Sequence, residues 1–146
     1  MADYVASLDP AVFVLDYDHN AFDPAELEAT HEPLFKTFRA KHPLTPVIFA
    51  TRPDFRRDPE DAAKRREIIL KTYNNALSSG DKNVWFIDTK TIFEPEWLNS
   101  ILVDNVHPGD LGMMFMARAY GKAVEEALSR SIELGLTKKV KLKNGG

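Results

Sequence analysis

Three short, unbroken apolar runs punctuate this chain: residues 11–15 (Ala-Val-Phe-Val-Leu), 47–50 (Val-Ile-Phe-Ala) and 84–87 (Val-Trp-Phe-Ile). Runs of this length without polar alternation suit strands of a parallel sheet covered on both faces. Between them the spacing turns helical. Asp23-Pro24-Ala25-Glu26 supplies a capping carboxylate, a proline at the first helical position and a glutamate at the third. Leu27, His31, Leu34, Phe35 and Phe38 follow on one face, and His42-Pro43 ends the helix. Asp58-Pro59-Glu60-Asp61 opens a second helix by the same chemistry, running to about Ser79-Gly80. After the third run comes an irregular stretch with a short turn over 94–99. A last helix spans about Asp110 to Leu134, its buried stripe predicted as Leu111, Met114, Ala117, Gly121, Val124, Leu128 and Ile132. Strands alternating with helices specify an α/β fold with a mostly parallel sheet and right-handed crossovers.

Composition changes this picture little. At 146 residues, 44% hydrophobic and 28% charged, with no internal repeat or linker, the chain reads as one domain. A net charge of -3 gives no reason to expect nucleic acid. Lys138, Lys139, Lys141 and Lys143 form a basic tail from about residue 137, read as a solvated end. With no cysteine there is neither a disulfide nor a thiolate-bound metal. The first ten residues lack the basic and apolar regions of a signal peptide, and no apolar run could span a bilayer. The expectation is a cytoplasmic chain with no membrane partner.

Ligands of open α/β sheets bind beyond the carboxyl ends of the strands. Those ends carry Asp16-Tyr17-Asp18-His19-Asn20, Thr51-Arg52 and Asp88, and the residues 104–107 loop feeds the last helix from the same side. Asp104 stands three residues before His107, close enough to orient an imidazole and stabilise its protonated form, as general-base chemistry requires. The bland reading is a surface loop whose aspartate caps local backbone. Asn20 is either a functional amide or a turn residue in the left-handed region. His19 lines the site or faces solvent. Arg52 grips an acidic substrate group or pairs with Asp54. His31 reads as a satisfied boundary histidine, Met113, Met114 and Met116 with Phe115 as core packing, Trp85 as core and Trp97 as boundary.

Val-Leu-Asp-Tyr-Asp-His-Asn (14–20), Pro-Val-Ile-Phe (46–49), Gly-Asp-Lys-Asn-Val-Trp-Phe-Ile-Asp (80–88) and Asp-Asn-Val-His-Pro-Gly-Asp-Leu-Gly (104–112) together resemble the SGNH (GDSL-type) serine hydrolases. The likeness covers about Asp9 to Leu128. It implies the three-layer, flavodoxin-like fold of that family and the removal of an acyl group from a small-molecule, carbohydrate or lipid ester, without metal or cofactor. It implies His107 as general base, Asp104 as its orienting carboxylate and Asn20 as an oxyanion donor. His19 and Arg52 are the candidate substrate-binding residues. The serine block that opens family domains has no counterpart: Ser7, Ser78, Ser79, Ser100, Ser129 and Ser131 do not follow an apolar strand at a sharp turn. The chain thus resembles the carboxyl-terminal portion of such an enzyme, with its amino-terminal strand missing. The first strand would then keep an open apolar edge, inviting a homodimer or a complementing amino-terminal segment.

Two other readings stand beside this one. A catalytically inactive binding or assembly module accounts for the absent nucleophile. Alternatively, the apolar run before Asp16-Tyr17-Asp18, with Phe49-Ala50-Thr51, resembles the haloacid-dehalogenase-like phosphatases. That would make Asp16 a nucleophile and Asp18 an acid/base around Mg²⁺. It leaves residues 104–112 without a role.

Overall fold

A computed structural model of the chain describes residues 1–133. The elements run α1 (Ala2–Val5), β1 (Phe13–Leu15), α2 (Pro24–Lys41), β2 (Val47–Ala50), α3 (Pro59–Ser78), β3 (Val84–Ile87) and α4 (Asp110–Glu133). The basic run from about residue 137 lies outside the described residues.

The capping signals fold as read. Asp23 accepts from the Glu26 backbone N–H at 2.8 Å, Glu26 reaches back to the Phe22 N–H at 2.6 Å, and Asp58 accepts from the Asp61 N–H at 3.0 Å. The strands form one parallel sheet of order β1-β2-β3, with Phe13 opposite Val47 and Val47 opposite Val84. Because the order runs in one direction, both right-handed crossover helices lie on one face. Val47 and Phe49 point into the layer with α2 and α3, while Ile48 and Ala50 point to α4. All four β2 residues are fully buried, which is why that run carries no polar position. The result is three layers, helices over sheet over helix.

His31 is a core residue rather than a boundary one. Its ring lies between Tyr17 and Phe49, and Nδ1 meets the Thr72 hydroxyl at 2.9 Å. Burial pulls its pKa down to about 4, so the ring stays neutral.

The buried face of α4 differs from the predicted stripe. Its buried positions are Gly112, Phe115, Ala127 and Ser131, with Tyr120, Ala123 and Val124 packed partly against the sheet. Ala117 and Gly121 face solvent. Small residues let the helix lie close to the strands, and a pattern drawn through large apolar side chains misses them. Met113 and Met114 are 55% and 39% exposed; only Phe115 and Met116 join a core cluster, with Phe93, Ile101 and Leu111. Trp85 packs against the α4 layer, and Trp97 is exposed.

Candidate active site

The carboxyl ends of the three strands are tied into one edge by buried polar contacts. Thr51 and Thr89, beyond β2 and β3, share a hydroxyl hydrogen bond of 2.9 Å. Arg52 donates to both oxygens of Asp54, at 2.5 and 2.6 Å, and to Asp61 at 2.8 Å. Asp61 also accepts from Arg65, whose guanidinium donates to the carbonyls of Asp18 and Ala21. Arg52 is therefore a strut between β2 and the start of α3, with its donors held by carboxylates. Those contacts pull Asp54 down and raise Arg52, outweighing the upward push of burial on the carboxylate. His19, beside this network, has Nδ1 3.5 Å from Asp54 and a side chain 38% exposed.

Asp16 and Asp18 end up in different settings. Asp16 accepts from the Tyr120 hydroxyl at 2.8 Å, joining β1 to α4, and desolvation raises its pKa. Desolvation, then the Asp16 charge, raises Tyr120 as well. Asp18 is 1% exposed and accepts from the Arg52 backbone N–H at 3.0 Å, while its Oδ1 has no partner among the described residues. Burial pushes its carboxyl up to about 7. A metal-dependent phosphatase needs open carboxylate oxygens there; Asp18 is buried, and no group of three ligating side chains that could hold a metal occurs among the described residues.

The raised carboxyl of Asp18 has a measurable consequence. The fold prefers it protonated, so there is no penalty below its unfolded value near 4, and the penalty grows as pH rises towards 7. Asp18→Asn should therefore raise stability by up to about 4 kcal/mol at pH 7.5. The gain over the unaltered chain should shrink towards zero at pH 4.5 in urea unfolding. A gain independent of pH would contradict this origin.

The loop before α4 is pinched shut at its base. Leu102 bridges Pro108, the Val103 N–H donates to the His107 carbonyl at 2.8 Å, and the Gly109 N–H donates to the Ile101 carbonyl at 2.9 Å. The bend passes through Asn105 at φ 65°, the one non-glycine residue with positive φ among the described residues. Asparagine tolerates that region better than most side chains. It is Asn105, not Asn20, that fills the left-handed position.

Within this bend Asp104 does three things. One oxygen accepts from the N–H groups of Val106 and His107, at 3.1 and 2.8 Å; the other meets His107 Nδ1 at 2.7 Å. These bonds, led by the His107 N–H, hold its carboxyl well below the usual range. An ionised carboxylate can only accept, so Nδ1 is the donor, and in the neutral ring the lone pair is left on Nε2. Both side chains are well exposed, His107 at 73% and Asp104 at 55%.

The structure thus brings Asp104 and His107 together and puts His19 and Arg52 around Asp54. Asn20 follows His19 in the chain and its side chain hydrogen-bonds neither group among the described residues. It closes the Asp18–Asn20 turn and lines a hollow of about 560 Å³ with Tyr17, Thr30 and Leu34. No serine hydroxyl hydrogen-bonds His107 among the described residues. Ser7 and Ser79 donate to backbone carbonyls, and Ser131 is buried in α4.

Residues 1–125 match the model of the GDSL-like lipase/acylhydrolase family. Among solved structures, a protein described as a GDSL-like lipase from Bacteroides ovatus superposes with a TM-score of 0.74 at 27% identity, over 88% of this chain and 39% of that one. The salicylyl-acyltransferase SsfX3 of a tetracycline biosynthetic pathway gives 0.67 at 22% identity, over 88% of this chain and 40% of that one, a likeness of fold alone. The chain therefore spans about two fifths of the length of either solved relative. No curated protein matches. No described helix is long and apolar enough to cross a membrane. With its three-layer parallel fold and a family match over most of its length, the chain belongs to the GDSL-like lipase/acylhydrolase family.

Proposed function

We propose that these residues carry the base of a serine acyl hydrolase of the SGNH type, acting on a small-molecule, carbohydrate or lipid ester. The observation that carries this reading is the 2.7 Å contact of His107 Nδ1 with an aspartate that two backbone N–H groups also fix. The imidazole is held in one tautomer with its basic nitrogen outward. A serine outside the described residues gives its proton to Nε2 as its oxygen bonds the acyl carbon. The protonated ring then returns that proton to the departing alkoxide, and water repeats the cycle to release the acid. The imidazolium formed midway lies against an ionised Asp104, which lowers its energy without accepting the proton.

Asn20 is the proposed oxyanion donor. Its side-chain amide makes no hydrogen bond to the described residues, and a neutral donor stabilises developing charge without competing as an acid.

The segment that brings the serine would pair with β1. Phe13 directs its N–H to the Pro46 carbonyl, so the alternating backbone groups of Val14 face the unpaired edge. A second copy of the chain is the other candidate for that edge. The experiment is hydrolysis of 4-nitrophenyl acetate by the full-length protein. Turnover stopped by an organophosphonate that labels one serine supports the reading. A protein inert to ester and phosphonate alike would leave the inactive binding module in its place.

A further inference from the structure

Charge at the carboxyl-terminal edge of the sheet is uneven. Arg52, Arg65 and Arg66 are each held by a carboxylate, from Asp54, Asp61 or Asp88. Arg56, Arg57 and Lys90 have no carboxylate at salt-bridge distance among the described residues, and all three line hollows beside the site.

Two hollows meet at Arg56. One, of about 520 Å³, runs between α3 and the ends of β2 and β3, with Arg66, Thr89 and Lys90 in its wall. The other, of about 370 Å³, is lined by Arg56, Arg57, Leu98, Asn99, Leu102 and Asn105, and so has no acidic side chain in its wall. Asn105 lies between Asp104 and His107, which sets this second hollow against the catalytic loop. Arg56 is also placed. Its Nη1 donates to Asn99 Oδ1 at 2.9 Å, joining the loop after β2 to the turn 43 residues later. That leaves Nε and Nη2, a pair whose spacing matches two oxygens of one oxyanion. Leu98 and Leu102 supply an apolar wall for a short hydrocarbon arm.

We propose that the hydrolase takes esters that carry an oxyanion, a carboxylate or a phosphate, gripped by Arg56 with Arg57 beside it. This deepens the acyl-hydrolase reading and rests on it for the word ester. The grip itself is independent of turnover, so the two can fail separately.

The test is an NMR titration of the full-length protein with monomethyl glutarate, and with dimethyl glutarate as its uncharged counterpart. Saturable shifts at Asn99 and Asn105 are expected for the monoester only. They should weaken roughly tenfold or more in Arg56→Gln, as loss of a charge-assisted pair implies. They should persist in Arg118→Gln, which removes an exposed cation on α4, and in His107→Gln, which should stop hydrolysis without touching the grip. Displacement by inorganic phosphate would extend the class to phosphate-bearing esters; failure to displace would confine it to carboxylates, and both support the proposal. Equal shifts with dimethyl glutarate, or equal weakening by Arg118→Gln, would overturn it.

Discussion

On the proposed mechanism, His107→Gln in the full-length protein should lower kcat/KM for ester hydrolysis by about 10³–10⁴-fold while leaving the fold intact. Glutamine keeps polarity and approximate reach but offers no nitrogen basic enough to take a serine proton. Asp104→Asn should cost nearly as much by another route. An amide in place of the carboxylate can present its N–H to the ring, which then adopts the opposite tautomer and turns a proton rather than a lone pair outward. The double variant should be hardly worse than either single one, as expected of a base and an orienting group that act as a unit. Both side chains are exposed, so thermal unfolding should move little, and that separates lost chemistry from lost structure. A His107→Gln enzyme retaining a tenth or more of its activity would place the base elsewhere.

Gly112→Ala should be among the most destabilising single-methyl additions in the chain. A Cβ there would sit 2.2 Å from the Ile101 carbonyl oxygen and 3.1 Å from the Pro108 side chain. The first of these is backbone, and that carbonyl also accepts from Gly109 to close the loop before α4. Helix and loop must separate, which breaks the bond that shapes the Asp104–His107 bend. The cost expected is about 3 kcal/mol, at the upper end for overpacking, with activity falling alongside stability. Gly121→Ala is the matched control on the same helix. Its added methyl would meet nothing, and relief of glycine's backbone entropy should raise stability by about 0.5–1 kcal/mol. Urea unfolding of the pair reads both. Equal effects at the two positions would mean that the approach of Ile101 to α4 does not hold the loop.

What the sequence made legible was local. Asp23 and Asp58 act within one turn of their own positions, and the apolar run of β2 is dictated by cover on both faces, so these elements fold as the pattern says. The Asp104–His107 contact is equally local, three residues apart, and the resemblance of residues 104–112 supplied its meaning. The misses are long-range. The buried face of α4 is set by its close approach to the Ile101 carbonyl at Gly112 and to the sheet at Ala127, which no pattern of large side chains encodes. His31 looks amphipathic on its helix, yet Thr72, 41 residues later, gives its nitrogen a partner and allows it into the core. Arg52 is drawn into struts by Asp54 and Asp61, while Arg56 and Arg57, unremarkable in a row of charges, are left facing the hollow beside Asn105. The pairing of Tyr120 with Asp16, 104 residues apart, leaves no local signal at all.

The most direct test of the proposed base is the tautomer of His107, read from long-range ¹⁵N–¹H spectra of the ring under conditions where it is neutral. A ring oriented by Asp104 is expected to carry its proton on Nδ1 and leave Nε2 unprotonated, with the pattern reversed or mixed in Asp104→Asn. A neutral ring protonated on Nε2 in the unaltered protein would contradict it, since that ring would have no lone pair to offer a serine.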